Sequence, residues 1–247
     1  MSVEAFGPYE ELRRSGKVII FGGGCYGALF SARIKRAKQR GMLTYQYQLI
    51  VDLDSSCKAI SGNESEDSVF FNGDWLDFIE SYYRYFANER DYIVLPCNTP
   101  HFLFKLYCRM FKSSNLGNIE IFEISDKLGY PFEVFNDDTI FVSFAKWKCP
   151  FLCIEPKICP ATRDKRDWNV KKKLYDFISK KEELFLSGVY VFENDFYTNG
   201  VAVISAKKIL DNYSKFVSQL SIQSKVYMLA TLSKCHGAIS FFTASIK

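Results

Sequence analysis

The stretch Lys17–Gly27, KVIIFGGGCYG, constrains this chain more than any other segment. An apolar run breaks into Gly22, Gly24 and Gly27 at G-x-G-x-x-G spacing and then into a helix-like stretch. Val18, Ile19, Ile20 and Phe21 suit a strand buried on both faces. Ala28, Leu29, Ala32, Ile34 and Ala37 give the next segment an apolar face at helical spacing. Each glycine has a task in such a joint: Gly22 permits the tight turn, Gly24 lets backbone approach a pyrophosphate, and Gly27 lets the helix lie close to the strand. An anion there meets unpaired amides and the positive end of the helix dipole, beside Cys25 and Tyr26.

A second strand is expected over Tyr47–Asp54 (YQLIVDLD), ending in two carboxylates at the distance where an acidic residue meets an adenosine ribose. Asp52 follows the apolar run directly and is the first choice, with Asp54 behind it. A carboxylate there accepts hydrogen bonds from the ribose diol and repels a 2′-phosphate, which favours NAD over NADP. Strand, glycines, helix, strand and acid in this order make residues 15–125 resemble the NAD(P)-binding Rossmann-fold superfamily. The resemblance implies a bound adenine dinucleotide and names no reaction.

Strand and helix signals keep alternating: strands over Val69–Asn72, Asp91–Leu95 and Ile119–Ile124, helices over Trp75–Asn88 and Phe102–Phe111, with a helical lead-in over residues 1–16. The expected class is α/β, a Rossmann-like parallel sheet with helices on both faces, followed by a smaller α+β part. The loop Pro96–His101 (PCNTPH) falls where such a sheet faces its cofactor, so Cys97 joins the cofactor-binding candidates and His101 is a candidate general base. Gly129 and Pro131 mark a break, which divides the chain into 1–130, the dinucleotide-binding part, and 131–247. The second part shows strands over Thr139–Ala145, Leu184–Phe192, Gly200–Ser205 and Ala238–Ala244 and helices over Asn169–Lys181 and Ala206–Leu220, while Asp137 and Asp138 read as a turn.

The second signal is Cys149-Pro-Phe-Leu-Cys153-Ile-Glu-Pro-Lys-Ile-Cys159-Pro. Prolines at 150, 156 and 160 forbid a regular helix, and a loop with fixed φ at several positions can hold thiolates at converging angles. Zinc or a [4Fe–4S] cluster needs such convergence, with a fourth ligand from elsewhere. Cys235 and His236 in SKCHG are the leading sources, with Cys25, Cys57, Cys97 and His101 as rivals. Glu155, between two of the cysteines, is a candidate proton relay. The spacing C-x3-C-x5-C matches neither the paired cysteines of zinc ribbons nor the ferredoxin run, which leaves the metal open.

Composition sets the outer limits. A chain of 247 residues that is 48% hydrophobic and 24% charged can bury one sizeable core or two smaller ones. Aromatic residues make up 17%, and packed cores are their first expected use, with a homo-oligomer surface as the alternative. A net charge of +4 is too small to argue for a nucleic-acid partner by itself, and none is expected. The basic run Arg163–Lys173 (RDKRDWNVKKK) reads as a solvated loop and helix face, with phosphate or RNA contact as the alternative. With no signal-like leader and no apolar run of membrane-spanning length, the expectation is a soluble, cytoplasmic protein without a membrane partner. Its eight cysteines then read as thiols or ligands before disulfides.

The expected function is an NAD-binding oxidoreductase acting on a small-molecule substrate, with a cysteine-ligated zinc or iron–sulfur centre near the nicotinamide. Two alternatives share these residues: a non-catalytic NAD- or redox-sensing regulator, and an S-adenosylmethionine-dependent methyltransferase. The apolar residues directly before Gly22 count against the methyltransferase. No G-x-S-x-G or H-E-x-x-H occurs, so hydrolase chemistry lacks support.

Overall fold

Twelve described strands sort into two mixed sheets, accompanied by six described helices, so the chain is mixed α/β. The computed structural model describes residues 16–61, 67–85, 87–94, 101–147, 149–150, 153–181, 184–198 and 200–247. The lead-in expected before Gly16 and the loop carrying Cys97 lie outside them. Two compact units result: residues 1–98 with 195–210, and residues 99–194 with 211–247.

The first unit is built on β1 (Lys17–Phe21), whose Val18, Ile19 and Ile20 are wholly buried. β2 (Tyr47–Asp52) runs parallel to it with Ile19 opposite Leu49, and β3 (Ser68–Asn72) runs parallel to β2. β4 (Tyr92–Val94) lies parallel on the other side of β1. Two further strands come from far along the chain: β10 (Val201–Ser205) pairs antiparallel with β4, and β9 (Asp195–Thr198) pairs antiparallel with β10. The full order is β3-β2-β1-β4-β10-β9, so the expected parallel sheet is parallel over four strands and antiparallel at one side.

Helix α1 (Cys25–Gln39) packs on β1, and its inward face is Gly27, Phe30, Ser31, Ile34 and Ala37. The expected stripe through Ala28, Leu29 and Ala32 is therefore displaced, and Ala32 is exposed. The cause is Gly27, where a Cβ would overlap the Gly22 carbonyl oxygen. That contact fixes which side of the helix faces inward, and the remaining buried positions follow at a period of 3.6. Ser31 is tolerated because its hydroxyl donates to Gln48 Oε1 at 2.6 Å, while Gln48 Nε2 donates to Ser31 O at 3.2 Å and Tyr45 Oη at 2.9 Å. The short helix α2 (Lys58–Ser61) follows β2. Helix α3 (Trp75–Tyr85) presents an aromatic side, with Phe78 packed edge-on to Phe21 and stacked on Tyr82. Buried Asp91 accepts from the Lys17 amide at 2.8 Å and from the Tyr82 hydroxyl, and pairs with Lys17 Nζ at 3.2 Å.

The second unit centres on the hairpin of β11 (Lys225–Leu232) and β12 (His236–Ile246). β7 (Thr139–Ser143) and β5 (Gly117–Ile121) both pair with β12, β6 (Phe132–Asn136) pairs with β7, and β8 (Gly188–Glu193) runs parallel to β11. The strand expected near Ile119–Ile124 thus belongs to this sheet and not to the first. Gly117 permits the pairing because a Cβ there would overlap the Ser245 carbonyl. Asp137 and Asp138 form the β6–β7 turn, with Asp137 at φ +52°.

β11 is buried on both faces, which explains its nearly continuous apolar sequence. One face, with Met228, Ala230 and Leu232, meets Val170 and Leu174 of α5 (Val170–Ile178). The other carries Tyr227, which packs with Phe216 and Phe242. Phe216 belongs to α6 (Ala206–Ser218), and Phe104, against Phe242, belongs to α4 (Phe102–Ser113). Many of the aromatic residues thus serve the cores, although Phe132, Val134 and Phe135 on β6 remain exposed. No helix among the described residues is long and apolar enough to cross a membrane.

The glycine joint supplies a paired test of this packing. Gly27→Ala is expected to destabilise the first unit by more than about 3 kcal/mol in urea denaturation, because the clash is with backbone that cannot yield locally. Gly24→Ala is expected to stay within about 0.5 kcal/mol of the parent, since no heavy atom lies within 4 Å of its Cβ position. Equal effects would contradict this packing.

Candidate functional site

The glycine turn is held from behind and open in front. Gly22, at φ +88°, donates its amide to Val51 O at 2.9 Å. The Gly23 amide donates to Asp52 Oδ2 at 2.5 Å, and Gly23 O accepts from the Ala59 amide at 2.8 Å. A Cβ on Gly23 would overlap Cys57 Sγ, and one on Gly22 would stand 3.0 Å from the Trp75 ring. Gly24 caps α1 without a side-chain hydrogen bond, and the first turn holds no acidic residue. The amides of Gly24, Cys25 and Gly27 have no partner among the described residues. Three unbonded donors therefore stand at the positive end of the helix dipole, with Gly24 and Cys25 exposed and Gly27 buried.

Other sequence-predicted residues gather around this turn. Cys25 is exposed and accepts from Lys58 Nζ at 3.1 Å, and Tyr26 is half exposed. Asp52 stands at the end of β2, where Oδ1 accepts from the Asp54 amide at 2.9 Å and Oδ2 from Gly23. Each carboxylate oxygen keeps a second acceptor direction. Asp54 turns to Ser56, accepting from its amide at 2.8 Å and its hydroxyl at 2.6 Å, and these bonds lower its pKa. Lys58 was not singled out in the sequence. It reaches the turn because α2 docks through the Ala59 amide onto Gly23.

In the second unit, Cys149, Cys153, Cys159 and Cys235 line one pocket together with His236, Glu155, Trp147, Arg166 and Trp168. The Cys153 amide donates to Pro150 O at 3.0 Å. The chain then doubles back: Cys159 N bonds Asp164 O at 2.9 Å and Arg166 N bonds Lys157 O at 2.7 Å. This return brings the Arg166 guanidinium to the cysteines, with Nη1 donating to Pro156 O at 2.6 Å and Nη2 4.0 Å from Cys153 Sγ. The basic run is thus solvated only in part, because Arg166 and Trp168 turn inward.

Cys235 arrives on the β11–β12 turn, and Glu155 fastens that turn. Its carboxylate accepts from Ser233 Oγ at 2.6 Å and from the amides of Lys234 at 2.8 Å and Cys235 at 3.2 Å. Glu155 is buried with φ +51°, so its oxygens serve as a clasp, in place of the proton relay expected from sequence. Trp168 Nε1 donates to Cys235 Sγ at 3.3 Å, and His236 Nδ1 lies 3.0 Å from Ser143 Oγ. Two buried donors in the pocket, Trp147 Nε1 and Arg166 Nε, have no hydrogen-bond partner among the described residues. Hydrogen bonds from the Thr162 and Ala161 amides lower the Cys159 pKa. Burial raises that of Cys149, reinforced by Cys153 and Cys159, and pushes Cys235 up to about 11. Burial lowers the His236 pKa. The seven described cysteines are free thiols. No group of three or more described His, Cys, Asp or Glu side chains is already spaced to hold a metal ion.

His101 is not part of the cysteine pocket lining. It precedes α4 in the second unit, buried, with Nδ1 2.7 Å from Ser240 Oγ and Nε2 3.1 Å from Thr231 Oγ1. It joins the helix to the sheet, a structural hydrogen-bonding role in place of the general base expected from sequence.

Comparison with known proteins bears on the second unit. A family model described as "Uncharacterized protein, C-terminal domain" matches residues 103–245, more than half of the chain. The chain belongs to this family. The family domain contains all four pocket cysteines, Glu155, Arg166 and His236, whereas the glycine turn and His101 precede it. No curated protein and no solved structure matches the chain.

Burial depresses the His101 pKa to about 3, below the unfolded value of about 6.5. The unfolded chain therefore takes up this proton first, so the contribution to stability is full above about pH 6.5 and declines as pH falls towards 3. Between pH 7 and pH 4, His101→Gln is expected to lose about 3 kcal/mol less unfolding free energy than the parent protein. Parallel pH profiles would contradict a buried neutral imidazole.

Proposed function

We propose that the first unit binds an adenine dinucleotide, NAD in preference to NADP, and that the chain is an oxidoreductase-type protein. The observation that carries this reading is the group of amides at Gly24, Cys25 and Gly27 without a partner among the described residues, at the end of the parallel strands β3-β2-β1-β4. In a Rossmann-like reading of that core, the pyrophosphate sits on these amides at the start of α1. Gly24 leaves room for close approach, and Lys58 adds a positive charge beside the turn. Asp52, oriented by the Gly23 and Asp54 amides, receives the ribose hydroxyls.

The preference for NAD follows from charge. A 2′-phosphate would approach the Asp52 carboxylate, and the repulsion of two anions weakens NADP. Support for the oxidoreductase class comes from the thiol-rich pocket of the family domain, since cysteine clusters serve electron transfer and Lewis-acid chemistry alike. His101 and Glu155 hold the scaffold in this reading and move no proton.

Calorimetry with NAD, NADP and S-adenosylmethionine tests the proposal. NAD is expected to bind at least about tenfold more tightly than NADP, a difference of about 1.4 kcal/mol. Gly24→Val is expected to weaken NAD at least tenfold without moving the unfolding midpoint of the first unit, because its side chain enters the space assigned to the pyrophosphate. Binding of S-adenosylmethionine alone, or of no nucleotide by a folded protein, would overturn the reading.

A further inference from the structure

We infer that the family domain carries a metal centre held by four thiolates, from Cys149, Cys153, Cys159 and Cys235, with His236 outside the ligand set. Three of these cysteines come from one proline-braced segment, and the fourth arrives on a turn about eighty residues further along the chain. Their gathering around one pocket is secured by a buried carboxylate. Glu155 accepts three hydrogen bonds from Ser233, Lys234 and Cys235, and so ties the segment carrying Cys153 and Cys159 to the turn carrying Cys235.

The lining matches what a thiolate centre requires. Four thiolates around a divalent metal, or around an oxidised cubane cluster, leave excess negative charge, and Arg166 supplies a positive one. Trp168 already donates to Cys235 Sγ at 3.3 Å. Trp147 Nε1 and Arg166 Nε are buried in the same lining without an acceptor among the described residues. Metal-bound thiolates, or the sulfides of a cluster, are acceptors for such donors. Four cysteines already make up a tetrahedral set without His236, whose Nδ1 lies 3.0 Å from Ser143 Oγ on β7. Because the ligands are not already spaced for an ion, closing the ring of sulfurs is part of binding, and the centre is expected to add stability to the second unit.

This inference is independent of dinucleotide binding by the first unit. Its test is iron, zinc and acid-labile sulfide analysis of the full chain purified without oxygen, with X-ray absorption at the edge of the metal found. A stoichiometric centre with an all-sulfur protein shell is expected. Iron with sulfide would identify a cluster and zinc without sulfide a single ion, and either supports the four-thiolate set. Cys235→Ser is expected to lose most of the metal, and His236→Ala is expected to retain it. Nitrogen in the shell, loss of metal from His236→Ala alone, or a folded parent protein that takes up neither zinc nor iron and sulfide would overturn the assignment. The shell is read on the parent protein, so a variant that fails to fold leaves the test intact.

Discussion

The contact between Gly27 and the Gly22 carbonyl oxygen sets the geometry on which the first unit depends. Bringing a helix this close to the end of a buried strand is possible only where neither partner presents a Cβ, and Gly22 further needs its positive φ. The same contact orients α1 so that Phe30, Ile34 and Ala37 enter the core. It also leaves amides at the start of the helix unbonded among the described residues. Packing and anion chemistry thus share one cause, since the approach that buries the helix face also places these donors.

The second unit answers a different constraint. Its central strands are buried on both faces, so polar groups must be satisfied by specific partners, and two of those partners are residues that sequence patterns mark as chemical. His101 bridges Ser240 and Thr231 across the sheet, while Glu155 closes the turn that presents Cys235. Each group is consumed by the scaffold. What remains chemically available is the set of thiols that the scaffold assembles.

The glycine joint was legible in the sequence because its logic is local: strand, turn and helix lie within a few residues, Gly22 answers a positive φ and Gly27 answers the clash with the Gly22 carbonyl. The phase of α1 was not, since it is set by one backbone contact and not by the apolar stripe. The sheet memberships of β5, β9 and β10 were hidden for another reason. The partners of β5 and β10 lie about a hundred residues away, β9 joins the sheet only through β10, and a pattern such as GNIEI says that a strand is half exposed without saying which edge it joins. The cysteine spacing marked Cys149, Cys153 and Cys159 as a group with Cys235 among the leading partners, and all four line one pocket. The clasp by Glu155 and the inward turn of Arg166 and Trp168 needed the fold, because a carboxylate among cysteines or a tryptophan among lysines carries no sign of what it faces.

The most direct measurement is at the amides themselves. Nitrogen-15 NMR of the labelled protein, titrated with NAD, reports on Gly24, Cys25 and Gly27 individually. Large, saturable shifts at these three, with smaller ones at the Gly22 and Gly23 amides already bonded within the fold, are the expected result. Unmoved resonances at these three amides, under conditions where NAD is shown to bind elsewhere or not at all, would contradict it.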